Sequence, residues 1–235
     1  MQPRGSGSGS RLDGRTLQQL GELASTCQLC RLCDARANAV FGCGNPDADI
    51  MFVAEAPGYH DDVNATQLAG QAGVMFDSLL AGIGRTRDDV YVTSVVKCRP
   101  PRNRTPFPDE IEQCEGYLFH EVMLVQPRVI CAMGNAAIRL LTGKHYRLSD
   151  VHGKPMVATV GERTISVLPI YHPGAAAHAP RLTQVIREDM QQIPALVRGE
   201  APHNDRVIAD PAPAATAAGD LDSGDSTQLT LEIGG

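Results

Sequence analysis

The chain has 235 residues, a formal net charge of −6 and 43% hydrophobic residues, with five tyrosines, five phenylalanines and no tryptophan. That is enough apolar material for one sizeable core, while the shortage of aromatics excludes a broad base-stacking surface. No apolar stretch approaches the roughly 20 residues that span a bilayer and no signal-peptide pattern opens the chain, so a cytoplasmic monomer is expected.

Residues 1–14, which include a Gly-Ser-Gly-Ser-Gly-Ser run, are expected to be a flexible N-terminal segment. Four apolar runs then alternate with helical patterns: Ile50–Ala54, Val90–Val96, Val129–Met133 and Thr164–Ile170. Their near-continuous hydrophobicity suits strands buried on both faces of a parallel sheet. The spacing predicts helices over Ala72–Gly82, Pro108–Val125, Asn135–Leu141 and Arg181–Leu196. Pro108 followed by Asp109 and Glu110 makes a favourable first turn for the second. The elements imply a single α/β domain over 15–198. From 199 to 235 the chain is rich in Ala, Pro, Asp, Gly and Ser and is expected to be a disordered acidic tail. Residues 198–235 carry a net charge of −5, which leaves only −1 for the rest, so the overall acidity does not argue against a polyanionic partner.

The unusual residues follow the strands. Glu55-Ala56-Pro57-Gly58 follows the first, Lys97-Cys98-Arg99 the second, Gly134-Asn135 the third and His172-Pro173-Gly174 the fourth. Open parallel sheets place their ligand crevice at these carboxyl ends. Seven cysteines in a cytoplasmic chain point to ligands and buried thiols rather than disulfides. Cys27 and Cys30 form a C-x₂-C pair, while Cys98 and Cys114 flank a basic, proline-rich loop; such a set suits an iron–sulfur cluster or zinc. Cys33 extends the first pair to a C-x₂-C-x₂-C run. The loop carries Lys97, Arg99, Arg102 and Arg104, four cations expected to face a phosphate backbone.

Ala54-Glu55-Ala56-Pro57-Gly58, Val40-Phe41-Gly42-Cys43-Gly44-Asn45-Pro46, the segment from Val96 to Arg104, and His172-Pro173-Gly174-Ala175-Ala176 together resemble the uracil-DNA glycosylase superfamily, specifically its iron–sulfur family 4. The likeness covers about 27–197. It implies a three-layer αβα sandwich around a central, mainly parallel four-stranded sheet, and a 4Fe–4S cluster held by Cys27, Cys30, Cys98 and Cys114. It also implies DNA containing uracil as substrate, hydrolysed to leave an abasic site in base excision repair. Two positions depart from the family pattern. Leu68 stands where the family has a phenylalanine that stacks on uracil, and Ser94 where it has an asparagine that reads the uracil edge.

Breaking an N-glycosidic bond needs the nucleotide out of the stack, a carboxylate near the developing sugar cation and donors near the departing base. His172 is expected to donate to a pyrimidine carbonyl, with Ser94 as a second donor. Asp61 is expected to orient water and Glu55 to sit at the pocket floor, with Ala56, Pro57, Gly58 and Leu68 around the base. No lysine in the motifs offers a Schiff-base nucleophile, which favours a monofunctional hydrolase. A DNA-binding protein of the same fold with a weakened active site is the alternative. At the far end, Gln228-Leu229-Thr230-Leu231-Glu232-Ile233 resembles peptides that dock on the bacterial sliding clamp. That resemblance implies a nucleoid-associated protein.

Overall fold

The computed structural model describes residues 9–160 and 163–200; the tail with Gln228–Ile233 lies outside the described residues. Six strands form one sheet: β1 (Cys43–Gly44), β2 (Ile50–Ala54), β3 (Val90–Ser94), β4 (Val129–Met133), β5 (Met156–Val160) and β6 (Arg163–Ile170). Their order is β1-β3-β2-β4-β6-β5, with the inner four parallel and the two edges antiparallel. The expected four-stranded sheet is thus the parallel centre of a mixed six-stranded one. Two-residue β1 is too short to give a period, and β5 alternates exposed and buried positions as an edge strand does.

The helices are α1 (Gly9–Leu12), α2 (Leu17–Ser25), α3 (Tyr59–Asn64), α4 (Gly70–Ala81), α5 (Pro108–Val125), α6 (Asn135–Thr142), α7 (Leu148–Val151), α8 (Ala175–His178), α9 (Arg181–Met190) and α10 (Ile193–Val197). Within the opening segment expected to be flexible, Leu12 is buried and Arg11 Nη2 donates to the Tyr117 hydroxyl at 2.8 Å. That hydrogen bond ties α1 to α5, which lies beside it. The helix expected over 181–196 breaks into α9 and α10, with Pro194 in the first turn of the second.

Strand residues alternate between two helical layers. Ile50, Phe52, Val90, Val92, Val129, Cys131, Leu168 and Ile170 pack with Phe76, Leu79 and Leu80 of α4, Ile186 and Met190 of α9, and Ile193 and Leu196 of α10. Phe52 meets Phe76 edge to face, with centroids 4.8 Å apart. On the opposite face Tyr91 and Thr93 turn toward α5, against which α1 and α2 lie.

Register decides where function can sit. Ala54 pairs with both Ser94 and Met133, and Met133 pairs with Ile170. The last residues of all four parallel strands therefore form a single row. The chain leaves β2 toward β3 on one side and later returns to β4 on the other. This reversal opens a crevice beyond the carboxyl ends of β2 and β4. No helix among the described residues is long and apolar enough to cross a membrane.

Candidate active site

A cleft of about 560 Å³ lies over that row. It is lined by Glu55, Ala56, Pro57, Gly58, Asp61, Asn135, Tyr171 and His172, with Tyr59, Asn103 and Arg104 at its sides. The motifs that follow β2, β4 and β6 therefore meet in one place, joined by part of the basic loop.

Glu55 is fixed by α6. Its Oε1 accepts from the Ala136 amide at 2.8 Å, in the first turn, where unpaired amides favour negative charge. The approach needs glycine at 134. That residue has φ +117°, and a Cβ on it would lie 2.7 Å from Glu55 Cγ and Oε1. Oε1 is thus engaged, and among the described residues no hydrogen bond reaches Oε2 of this cleft-lining side chain.

Asp61 is placed differently from its expected role. Its Oδ2 accepts from the Gly58 amide at 2.8 Å and its Oδ1 from the Ala69 amide at 2.7 Å. With both oxygens engaged by main chain, Asp61 clamps the loop around α3, and Glu55 is the carboxylate with a spare oxygen. Asp62 has a similar duty, accepting from the amides of Ala37 and Asn38.

His172 Nδ1 accepts from the Gly174 amide at 3.1 Å. A ring nitrogen that accepts carries no proton, so the neutral ring bears its hydrogen on Nε2. Burial lowers the His172 pKa from its ordinary 6.5, while the Asp61 charge raises it in partial opposition. At neutral pH the cleft therefore holds a neutral imidazole with a single donor of defined position.

Leu68 and Ser94 are not part of the cleft lining. Leu68 has φ +49° and packs, 1% exposed, into the core with Phe76. Ser94 is fully buried; its hydroxyl donates to the Val96 carbonyl at 2.8 Å and accepts from Gln67 Nε2 at 3.1 Å. Gln67 also donates to the Val40 carbonyl. The expected base contacts at 68 and 94 are therefore replaced by packing and by a closed polar network.

The four expected phosphate-facing cations separate. Lys97 is buried, its Nζ 2.6 Å from Glu121 Oε2 and donating to Thr93 Oγ1 and the Ser94 carbonyl. This corrects its assignment to the DNA surface. A cation whose solvation has been replaced by a carboxylate and two oxygens cannot also serve a phosphate. Arg104 lies at the cleft but makes a two-pronged pair with Glu110, at 2.8 and 2.7 Å. Arg99 stacks over Tyr59 and donates from Nε to Asn103 Oδ1 at 2.7 Å. Arg102 is exposed, with φ +57°, and forms no ion pair among the described residues.

Cys27, Cys30, Cys98 and Cys114 line a common cavity, with Cys33 and Arg36 beside them. Arg36 Nη1 donates to Cys98 Sγ at 2.9 Å, and the Lys97 amide donates to Cys114 Sγ at 3.3 Å. Burial pushes the Cys114 thiol up to about 12 and raises Cys98 and Cys30 as well, while Arg36 pulls Cys98 back. A zinc ion with bonds of about 2.3 Å would draw four sulfurs to within about 3.8 Å of one another. Among the described residues no three His, Cys, Asp or Glu side chains converge to hold a single ion.

Sequence reasoning passed over Tyr59, Tyr171, Arg36, Gln67 and Glu121. Tyr59 adjoins a motif and could have been weighed as its neighbour. Glu121 and Arg36 meet their partners 24 and 62 residues away, so no local pattern announces them.

Residues 41–192 match the uracil DNA glycosylase superfamily. The chain is 38% identical over 183 residues to a type-4 uracil-DNA glycosylase of Sulfurisphaera tokodaii, covering 76% of this chain and 83% of that protein. It is 35% identical over 184 residues to the type-4 enzyme of Archaeoglobus fulgidus, covering 75% and 92%. To that of Thermotoga maritima it is 34% identical over 187 residues, covering 78% and 96%. With its parallel-sheet cleft and a match across most of its length, the chain belongs to the uracil DNA glycosylase superfamily.

Proposed function

We propose that this protein is a monofunctional DNA repair glycosylase that hydrolyses uracil from DNA and leaves an abasic site. The observation that carries the reading is the pairing, across one cleft, of a carboxylate with a spare oxygen and a neutral histidine with one fixed donor. A nucleotide must leave the stack for its sugar carbon to enter such a cleft. As the glycosidic bond stretches, Glu55 stabilises positive charge on the sugar and orients water toward it. His172 Nε2 donates to the base carbonyl as negative charge gathers there. Both groups are set before the reaction, so their alignment adds no cost at the transition state. Lys97 is committed to Glu121, which leaves no lysine in the motifs for covalent catalysis.

Cys27, Cys30, Cys98 and Cys114 hold a 4Fe–4S cluster in this reading; the four thiols line one cavity, and N–H groups of Arg36 and Lys97 reach two of the sulfurs. The cluster, when bound, supplies a covalent tie between the N-terminal segment, the basic loop and α5. Arg99 and Arg102 hold the phosphates, while Arg104 shapes the cleft wall through Glu110. Because Leu68 and Ser94 are withdrawn, base selectivity rests on other groups and is broader than a phenylalanine–asparagine pocket gives.

An alkali-cleavage assay on a uracil oligonucleotide, beside unmodified, hypoxanthine and xanthine controls, tests this. Strand breaks at uracil, absent from the unmodified strand, are expected. Tight DNA binding with no abasic product would instead identify a DNA-binding protein of the same fold.

A further inference from the structure

Tyr59 stands at the lip of the cleft, 54% exposed, although phenol rings are ordinarily covered. The Arg99 guanidinium carbon lies 5.0 Å from its ring centre, and the His60 ring meets it at 78° with centres 5.4 Å apart. Arg99 is itself held by Asn103, another cleft residue, so the cation backing the ring is fixed. One face of the ring is thus covered by a guanidinium, while its exposure leaves area for a flat partner. Position 68, meanwhile, offers the cleft no ring.

We propose that Tyr59, backed by Arg99, is a stacking platform for the nucleobase next to the extruded nucleotide on the same strand. This deepens the glycosylase reading and rests on it. Extruding one nucleotide strips a neighbouring base of its stacking partner, and an aromatic ring at the mouth of the cleft replaces that partner. The guanidinium strengthens the platform by its cation–π contact and stands where a phosphate of the same strand passes. His172 and Glu55 serve the extruded nucleotide; Tyr59 serves its neighbour.

The absence of tryptophan allows a direct test, because Tyr59→Trp gives a protein with a single indole. Its fluorescence should be quenched by a single-stranded uracil oligonucleotide. The quenching should be lost when the nucleotides flanking uracil are reduced abasic sites. Phe107→Trp is the control, since that exposed ring is flanked by the guanidiniums of Arg31 and Arg104. In wild-type background, Tyr59→Ala should raise KM about tenfold while the single-turnover rate at saturating DNA stays within about twofold, and Tyr59→Phe should behave as wild type. Equal quenching at 59 and 107, no quenching by an oligonucleotide that binds, or an unchanged KM for Tyr59→Ala would overturn the proposal. Absence of excision by the wild-type protein would instead remove the glycosylase reading, and the quenching arms report independently of it.

Discussion

Removing the His172 imidazole tests the chemistry most directly. The Gly174 amide occupies Nδ1, so the only donor this ring offers the departing base is Nε2–H. Deleting one preorganised donor to a developing oxyanion costs about 2.7–4 kcal/mol, or about 10²–10³ in rate. His172→Ala should therefore lose that factor in single-turnover excision while DNA affinity changes little, since the bond strengthens only as the base departs. The same geometry fixes a pH dependence. Burial places the folded-state pKa below the ordinary 6.5, so the fold favours the neutral ring. The stability tied to that ring is fully present above about pH 6.5 and is lost as pH falls through the lower folded value. Protonation below that value sets an Nδ1–H against the Gly174 N–H, two donors facing each other. Excision should hold level from neutral pH down to about 6.5 and fall in acid, and His172→Ala should lose this acid limb. The assay is alkaline cleavage of a labelled uracil oligonucleotide under single turnover between about pH 5 and 8. A wild-type rate that rises in acid, or a His172→Ala rate within about threefold of wild type, would refute the tautomer argument.

Glu121→Ala leaves Lys97 charged and buried without its partner, a loss of about 3–5 kcal/mol that should lower the urea midpoint by about 1.5–2.5 M. Lys97→Met combined with Glu121→Leu should recover only part of it, because Glu121 also accepts from the Gly42 amide and the Tyr91 and Thr93 hydroxyls, and a single-variant loss below about 1 kcal/mol would show the pair to be incidental. Gly134→Ala should push Glu55 off the Ala136 amide and cost about 100-fold in excision rate with DNA binding retained; kinetics and binding measured side by side check this. Cys98→Ser should abolish the brown colour and bound iron of the purified protein, whereas Cys33→Ser should keep both; stoichiometric zinc without iron in anaerobic preparations would exclude the cluster. Deleting 226–235 should leave excision on short oligonucleotides intact and remove sliding-clamp capture in a pull-down, and a full-length protein that never binds its own clamp would end the expectation drawn from Gln228–Ile233.

Ile50–Ala54, Val129–Met133 and Pro108–Val125 were legible to the residue because continuous apolar runs and a proline–acid first turn are local signals. The cleft was legible for the same reason: strand ends place their own following residues. Helix α2 escaped notice although Thr16 and Gln19 form a capping box, a signal that was present. The failures at the site were of another kind. Lys97 sits among arginines and looks solvent-facing until Glu121, 24 residues on, turns up beneath it. Asp61 resembles a free acid until the amides of Gly58 and Ala69 close on it. Side-chain direction at 68 and 94 depends on backbone angles and on Gln67, and neither follows from residue type.

One face of α5 gathers most of these ties. Glu110 receives Arg104 and Arg31, Cys114 lines the thiol cavity, Tyr117 accepts from Arg11, and Glu121 holds Lys97. Their steps of four, three and four residues keep them on one stripe of the helix. A single residue inserted near 112 would turn everything beyond it by about 100°. The thiol, the tyrosine and the buried carboxylate would swing away together, while Glu110 stayed behind at the first turn. Length variation in this protein should therefore be tolerated in the segment at 143–147, and should be lethal to folding within 110–121.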